Sequence, residues 1–318
     1  MTELVNVDNF VRAETARMFD GTLAHAGGVN RFVHLRAPTP VDRQSVIRMN
    51  RDTLYSALIA DISQGATLTI PDAGDRYLSA MVVNEDHFVM RVLHEPGVHQ
   101  LTLDEYGTPF VGVSVRTFVD PNDPADVAAV NGIQDRLALD APASGPYTHP
   151  DYDTASLDAV REPLLQLSES LPDSARTFGA PDEVDPVRHL IGTAYGWGGL
   201  PEREAFYLVE AAPHPVGHYR ITFHDVPVDG FWSLTVYNRD GFLEPNQYAA
   251  WSINNVTAVA DEDGSVTVDL APEPDGFRNH LYVMDGWNYA IRLYRPRPEI
   301  LDGRWIAPAP EAVGAGSR

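Results

Sequence analysis

Arg76-Tyr77-Leu78-Ser79-Ala80-Met81-Val82-Val83-Asn84-Glu85-Asp86-His87-Phe88 reads as a β-strand that runs into a turn. Leu78 to Val83 is a short apolar run of strand length. The Asn and Asp that follow tolerate the left-handed conformation and bond their own backbone, so the chain reverses there. A second copy occurs at Gly230-Phe231-Trp232-Ser233-Leu234-Thr235-Val236-Tyr237-Asn238-Arg239-Asp240-Gly241-Phe242, with identities at Ser, Val, Asn, Asp and Phe and an aromatic residue second in both. Upstream, Leu68-Thr69-Ile70-Pro71 faces Arg220-Ile221-Thr222-Phe223, and Tyr55 faces Tyr207. A period of about 150 residues is too long for a solenoid and predicts a duplicated domain.

Outward from the first copy, short alternating runs predict strands near Leu54–Asp61, Ala66–Ile70, Tyr77–Val83, Phe88–Leu93, His99–Leu103 and Phe110–Phe118. Around the second copy they predict Phe206–Ala211, Tyr219–Phe223, Phe231–Tyr237, Ala249–Ile253, Ser265–Leu270, His280–Val283 and Tyr289–Tyr294, with a hairpin signal at Asp263-Gly264. Helical spacing appears from Asp8 to about Leu23, after Asp123-Pro124, from Leu157 to Leu171, and after Asp185-Pro186 up to Gly198-Gly199. The expected fold is mainly β: two jelly-roll-like antiparallel β-sandwiches related by internal duplication, an N-terminal helix and a central helical insert. Boundaries fall at 1–48, 49–122, 123–200 and 201–310, followed by a flexible tail, 311–318.

Composition excludes more chemistry than it suggests. Among 318 residues there is no Cys and no Lys, and all 23 basic residues are Arg. Thiol nucleophiles, disulfides, thiolate metal sites and Lys Schiff bases are therefore ruled out. A net charge of −22 repels phosphate backbones and anionic lipid, so neither nucleic acid nor membrane is an expected partner. The start lacks a basic segment followed by an apolar one, which predicts a cytoplasmic chain without a secretory leader. No Gly-x-Ser-x-Gly elbow occurs.

Several segments carry a family resemblance: Met49-Asn50-Arg51-Asp52-Thr53-Leu54-Tyr55, Arg76-Tyr77, Asn84-Glu85-Asp86-His87, Gly230-Phe231-Trp232-Ser233, Gly286-Trp287-Asn288-Tyr289, Arg292-Leu293-Tyr294 and Leu301-Asp302-Gly303-Arg304-Trp305. The chain resembles bacterial proteins that pair the domains of unknown function numbered 1254 (N-terminal) and 1214 (C-terminal). The resemblance runs from about Phe10 to Pro308 and implies two jelly rolls with helical additions. It implies no reaction, and the export of longer relatives is not carried over.

Two polar clusters are candidate sites. In Asn50–Tyr55 an extended backbone would put Asn50 and Asp52 on one face and Arg51, Thr53 and Tyr55 on the other. Arg51 would hold an anion, and Asp52, Tyr55 or His87 would move protons. The bland reading is a buried network that locks the first strand. In the second cluster, alternation sets Tyr289, Ile291 and Leu293 on one face and Ala290, Arg292 and Tyr294 on the other; Trp287, Arg292 and Tyr294 would wall a pocket, or else line a core. The catalytic candidates are Asp52, Tyr55 and His87; the substrate-binding candidates are Asn50, Arg51, Trp287, Arg292 and Tyr294. His94 and His99 are five apart with Pro-Gly between, not the helical i, i+4 of a zinc hydrolase, and no metal or cofactor is expected. These residues suggest a cofactor-independent hydrolase or lyase acting on a small molecule. A small-molecule or carbohydrate-binding protein, or an assembly module that forms homo-oligomers, is the alternative.

Overall fold

The computed structural model describes residues 2–44 and 46–314. Sixteen strands in four sheets and six α-helices are formed among them. Contacts divide the chain into two compact units. One comprises Met1–Arg36, Leu54–Phe118 and Ala128–Glu202; the other comprises Ala37–Thr53, Val119–Val127 and Arg203–Arg318.

The N-terminal unit opens with helix α1 (Phe10–Ala26), ended by Gly27 at φ 75°. Strands β1 (Val33–His34), β2 (Thr53–Asp61), β3 (Ala66–Ile70), β4 (Leu78–Asn84), β5 (Val89–Leu93) and β6 (Gly97–Leu101) follow. The expected strand end at Leu103 is instead helix α2 (Leu103–Tyr106): Thr102 accepts a hydrogen bond from Glu105 N, so the chain leaves the sheet at a capped turn. Then come β7 (Phe110–Phe118), helix α3 (Pro124–Gln134), β8 (Ala138–Asp140), α4 (Thr154–Ser168) and α5 (Pro186–Gly196). Three helices lie in this stretch, with one strand among them, β8, which pairs with β3. Asp185 caps α5 through Val187 N and Arg188 N, with Pro186 in the first turn where its missing N–H costs nothing. The sheets β1-β2-β7-β4-β5 and β6-β3-β8 share one core, in which Leu58, Val82 and Val113 meet Leu68 and Leu101. Phe10, Ala13, Leu157, Leu164 and Ile191 form a second, helical core.

The C-terminal unit contains β9 (Ala205–His214), β10 (Tyr219–Phe223), β11 (Trp232–Tyr237), β12 (Ser252–Asn254), β13 (Val266–Ala271), β14 (His280–Tyr282), β15 (Trp287–Tyr294), helix α6 (Pro298–Leu301) and β16 (Glu311–Ala312). Its sheets are β12-β11-β15-β9 and β14-β13-β10-β16, with Leu234, Ile291 and Leu293 packed against Ile221, Val268 and Leu281. The β13–β14 pair is parallel; the unit's other strand pairings among the described residues are antiparallel. The Asp263-Gly264 signal forms a tight turn, with Gly264 at φ 84°, but not a hairpin. The Asn254 side chain accepts from Val256 N and Thr257 N and turns the chain out of one sheet before β13 enters the other.

The turns after β4 and β11 are built alike. Asn84 Oδ1 accepts from Asp86 N and Phe88 N, and Asn238 Oδ1 accepts from Asp240 N and Phe242 N. The left-handed position holds Gly241 (φ 84°) in one and His87 (φ 61°) in the other. Substituting Asn84 or Asn238 by Ala removes two backbone caps, and urea unfolding is expected to record a loss of about 1–2 kcal/mol for each.

Candidate functional site

Residues 50–52 are not extended, contrary to the alternation expected of them. Asn50 Oδ1 accepts from Asp52 N at 2.8 Å, an Asx turn that removes the two-face pattern before β2 begins at Thr53. The segment is then fastened to the C-terminal unit atom by atom. Tyr237 Oη donates to Met49 O (3.1 Å), Arg292 Nη2 donates to Arg48 O (2.6 Å), and Asn50 Nδ2 donates to Tyr294 Oη (3.0 Å).

Beneath it lies a buried polar chain. Arg292 Nη1 donates to Thr235 Oγ1 (3.0 Å), Thr235 Oγ1 lies 3.0 Å from Ser252 Oγ, and Ser252 Oγ donates to Asp52 Oδ1 (3.1 Å). Ser252 spends its proton on Asp52, so Thr235 donates to Ser252, and every proton along the chain points from the guanidinium toward the carboxylate. Burial works against the charge of Arg292, but Tyr237, Tyr294 and Asp52 outweigh it and hold the guanidinium above its ordinary range. Trp287, Arg292 and Tyr294 are all enclosed; Trp287 Nε1 donates to Pro215 O, and Tyr294 stacks on Phe231 at 4.2 Å. The expected alternation of β15 holds, yet both faces are covered.

Arg51 is placed differently. Its Nη1 donates to Thr39 O (3.0 Å) and its guanidinium carbon lies 4.9 Å from the Trp251 ring centroid. It is 8% exposed, and that remainder faces a cleft of about 430 Å³ also lined by Pro38, Pro40, Pro121, Pro245, Asn246 and Asp42. Burial lowers its pKa while Asp52 pulls the other way, and the side chain stays cationic. Trp251 is fixed from behind by Nε1 donating to Glu244 O (2.6 Å). Sequence reasoning missed Trp251, Ser252 and the prolines, which carry no motif and come together only through contacts between distant parts of the chain.

In the N-terminal unit, His87 is fully enclosed. Gly198 N donates to its Nε2 (2.9 Å), so the ring proton sits on Nδ1 and goes to Thr193 Oγ1 (2.8 Å). Phe88, His189, His87 and Trp197 stack in series, with centroids 4.6, 5.4 and 5.3 Å apart. Burial, then the neighbouring His189, drives the His87 pKa well below its usual range. Tyr55 packs under Arg116, whose guanidinium carbon lies 5.5 Å from its centroid. Asp52 thus belongs to one unit and Tyr55 and His87 to the other. Ring nitrogens of His94 and His99 lie 3.1 Å from Leu78 O and 2.9 Å from Glu95 O; no group of three His, Asp or Glu among the described residues is placed to hold a metal ion. No helix among those residues is long and apolar enough to cross a membrane.

Residues 29–96 match the family described as a protein of unknown function (DUF1254), and residues 212–298 match the one described as a protein of unknown function (DUF1214). No curated protein matches the chain. Among solved structures, a Vibrio parahaemolyticus protein is similar over 97% of this chain and 98% of its own, with a TM-score of 0.76 at 17% identity. An uncharacterized Burkholderia cenocepacia protein is similar over 96% of this chain and 86% of its own, with a TM-score of 0.54 at 14% identity. At such identities the likeness is one of fold. The chain therefore carries the pairing its segments resemble, a DUF1254 match followed by a DUF1214 match.

Proposed function

We propose that this protein binds a small carboxylate with a compact apolar or aromatic body in the Arg51–Trp251 cleft. The observation that carries the reading is the state of Arg51. Arg51, 8% exposed as a residue, makes one hydrogen bond, to a carbonyl, and no ion pair with a carboxylate among the described residues, so burial costs its charge hydration that the nearby Asp52 charge restores only in part. An incoming carboxylate restores that loss through the unused N–H fork. Rigid proline walls and a fixed Trp ring cost little entropy to organise. Of the proton carriers expected from the sequence, Asp52 and His87 are both enclosed, and the carboxylate that lines the cleft is Asp42; binding is the reading the Arg51 geometry supports best.

Calorimetric titration with benzoate and with benzamide is expected to detect the acid only. Arg51→Gln is expected to weaken benzoate binding more than tenfold while leaving the unfolding midpoint within about 2 °C. Equal binding of acid and amide, or indifference to the substitution, removes the reading.

We also infer that the two units are jelly rolls descended from one duplicated domain. Strand order supports this: β2-β7-β4-β5 in the first unit parallels β9-β15-β11-β12 in the second, and the β3–β6 pair parallels β10–β13. The two Asn turns after β4 and β11 fall at matching places in that order.

A further inference from the structure

The C-terminal unit holds a second cavity, of about 450 Å³, with a different character from the Arg51 cleft. Its floor is one face of β9 and β15, where register sets Phe206 beside Leu293, Leu208 beside Ile291 and Glu210 beside Tyr289. Phe206, Leu208, Tyr289 and Ile291 all pack on the main core of the unit, so the cavity opens directly onto that core. Its roof is the segment 303–309, which leads from α6 to β16; β16 joins β10 in the other sheet, so the segment straps the two layers together beside the edge strand β9. Trp305 is held in the strap by its N–H donating to Glu299 O (2.7 Å). Ile306, also lining the cavity, is 83% exposed, an apolar side chain left in water at the mouth.

One charge interrupts these walls. Glu210 Oε1 accepts from Ala212 N (2.9 Å), which leaves Oε2 for a ligand. Tyr289 stands opposite it across the β9–β15 pair, and burial, then the Glu210 charge, raises its phenol pKa. Among the described residues no Arg lines the cavity, and the net charge of −22 adds to the local preference for a cation.

We propose that this cavity is a binding site for a small cationic amphiphile, such as an alkylamine, with its apolar body against Leu208, Ile291 and Trp305 and its ammonium on Glu210. Wall chemistry selects the body and the lone carboxylate selects the head. Each added methylene is expected to tighten binding about fourfold until the floor is covered.

The test is calorimetric titration of the full chain carrying Arg51→Gln, which removes the carboxylate site proposed above, with octylamine, octanol and octanoate, all below micellar concentrations. Saturable one-to-one binding is expected, with octylamine at least tenfold tighter than octanoate and octanol between them. Glu210→Gln is expected to bring octylamine to the level of octanol without changing octanol itself; Leu208→Asn is expected to weaken all three ligands. Non-saturable uptake, octanoate as tight as octylamine, or an amine preference that survives Glu210→Gln overturns the assignment. So does sedimentation in which the chain self-associates and octylamine fails to compete, since a second copy then occupies the cavity. Octanol binding in the Glu210→Gln variant also serves as the check that the variant is folded.

Discussion

Arg292→Met is expected to destabilise the C-terminal unit by about 3–5 kcal/mol, the cost of leaving a buried carboxylate without its cation. Arg292 is 5% exposed and Asp52 fully buried, and the Thr235 and Ser252 hydroxyls between them are oriented by the charges at the two ends. Methionine fills a similar volume but leaves Thr235 Oγ1, Tyr237 Oη and Arg48 O without their common donor. Guanidinium chloride unfolding monitored by Trp fluorescence measures the loss. In a double-mutant cycle with Asp52→Asn, the second substitution is expected to cost far less once Arg292 is gone. Strictly additive losses would mean that the hydroxyl chain does not couple the charges.

The second large effect is acid sensitivity of the N-terminal unit. His87 and His189 both have pKa values lowered from the usual 6.5, His87 well below it, chiefly because burial penalises the charged ring. The unfolded chain therefore binds more protons than the folded one between pH 6.5 and the folded values. The contribution of each histidine to stability is complete above pH 6.5 and falls as pH drops through its window, by at most about 1.4 kcal/mol per pH unit. Among the described residues no carboxylate takes up the new charge directly: His87 meets Thr193 and Gly198, His189 Nε2 meets the Asp86 carbonyl, and the Asp86 carboxylate is engaged by Arg12. Urea midpoints measured from pH 7.5 to 5 are expected to fall steeply in the wild type and distinctly less steeply in His87→Gln. Equal slopes would place the proton uptake elsewhere.

Local patterns in the sequence carried the strands and the helix starts because their causes are local. Asp185-Pro186 caps α5 as its spacing predicts, and the Asn84 and Asn238 turns use only atoms within four residues. Helix α2 was missed although Thr102-Leu103-Asp104-Glu105 is a capping box; the alternating run before it hid the signal. The site was legible only in part. Arg51 stood out as a cation, but nothing near it in sequence announces Trp251, and Asp52 meets Ser252 across 200 residues. Arg292 and Tyr294 looked like a wall because alternation says which residues share a face and not whether another segment covers it. Residues 48–50 cover that face here, and Trp287 lies in the core on the other side of the sheet.

The place of residues 37–53 in the C-terminal unit has a consequence for synthesis. Arg48 precedes Arg292 by 244 residues. At the usual 5–20 residues per second, the segment leaves the ribosome on the order of 10–50 s before its partner exists. The nascent N-terminal unit must hold its strands while an unclaimed length of its own polypeptide waits, and a single cleavage after Glu202 would strip the C-terminal unit of residues 37–53 and 119–127.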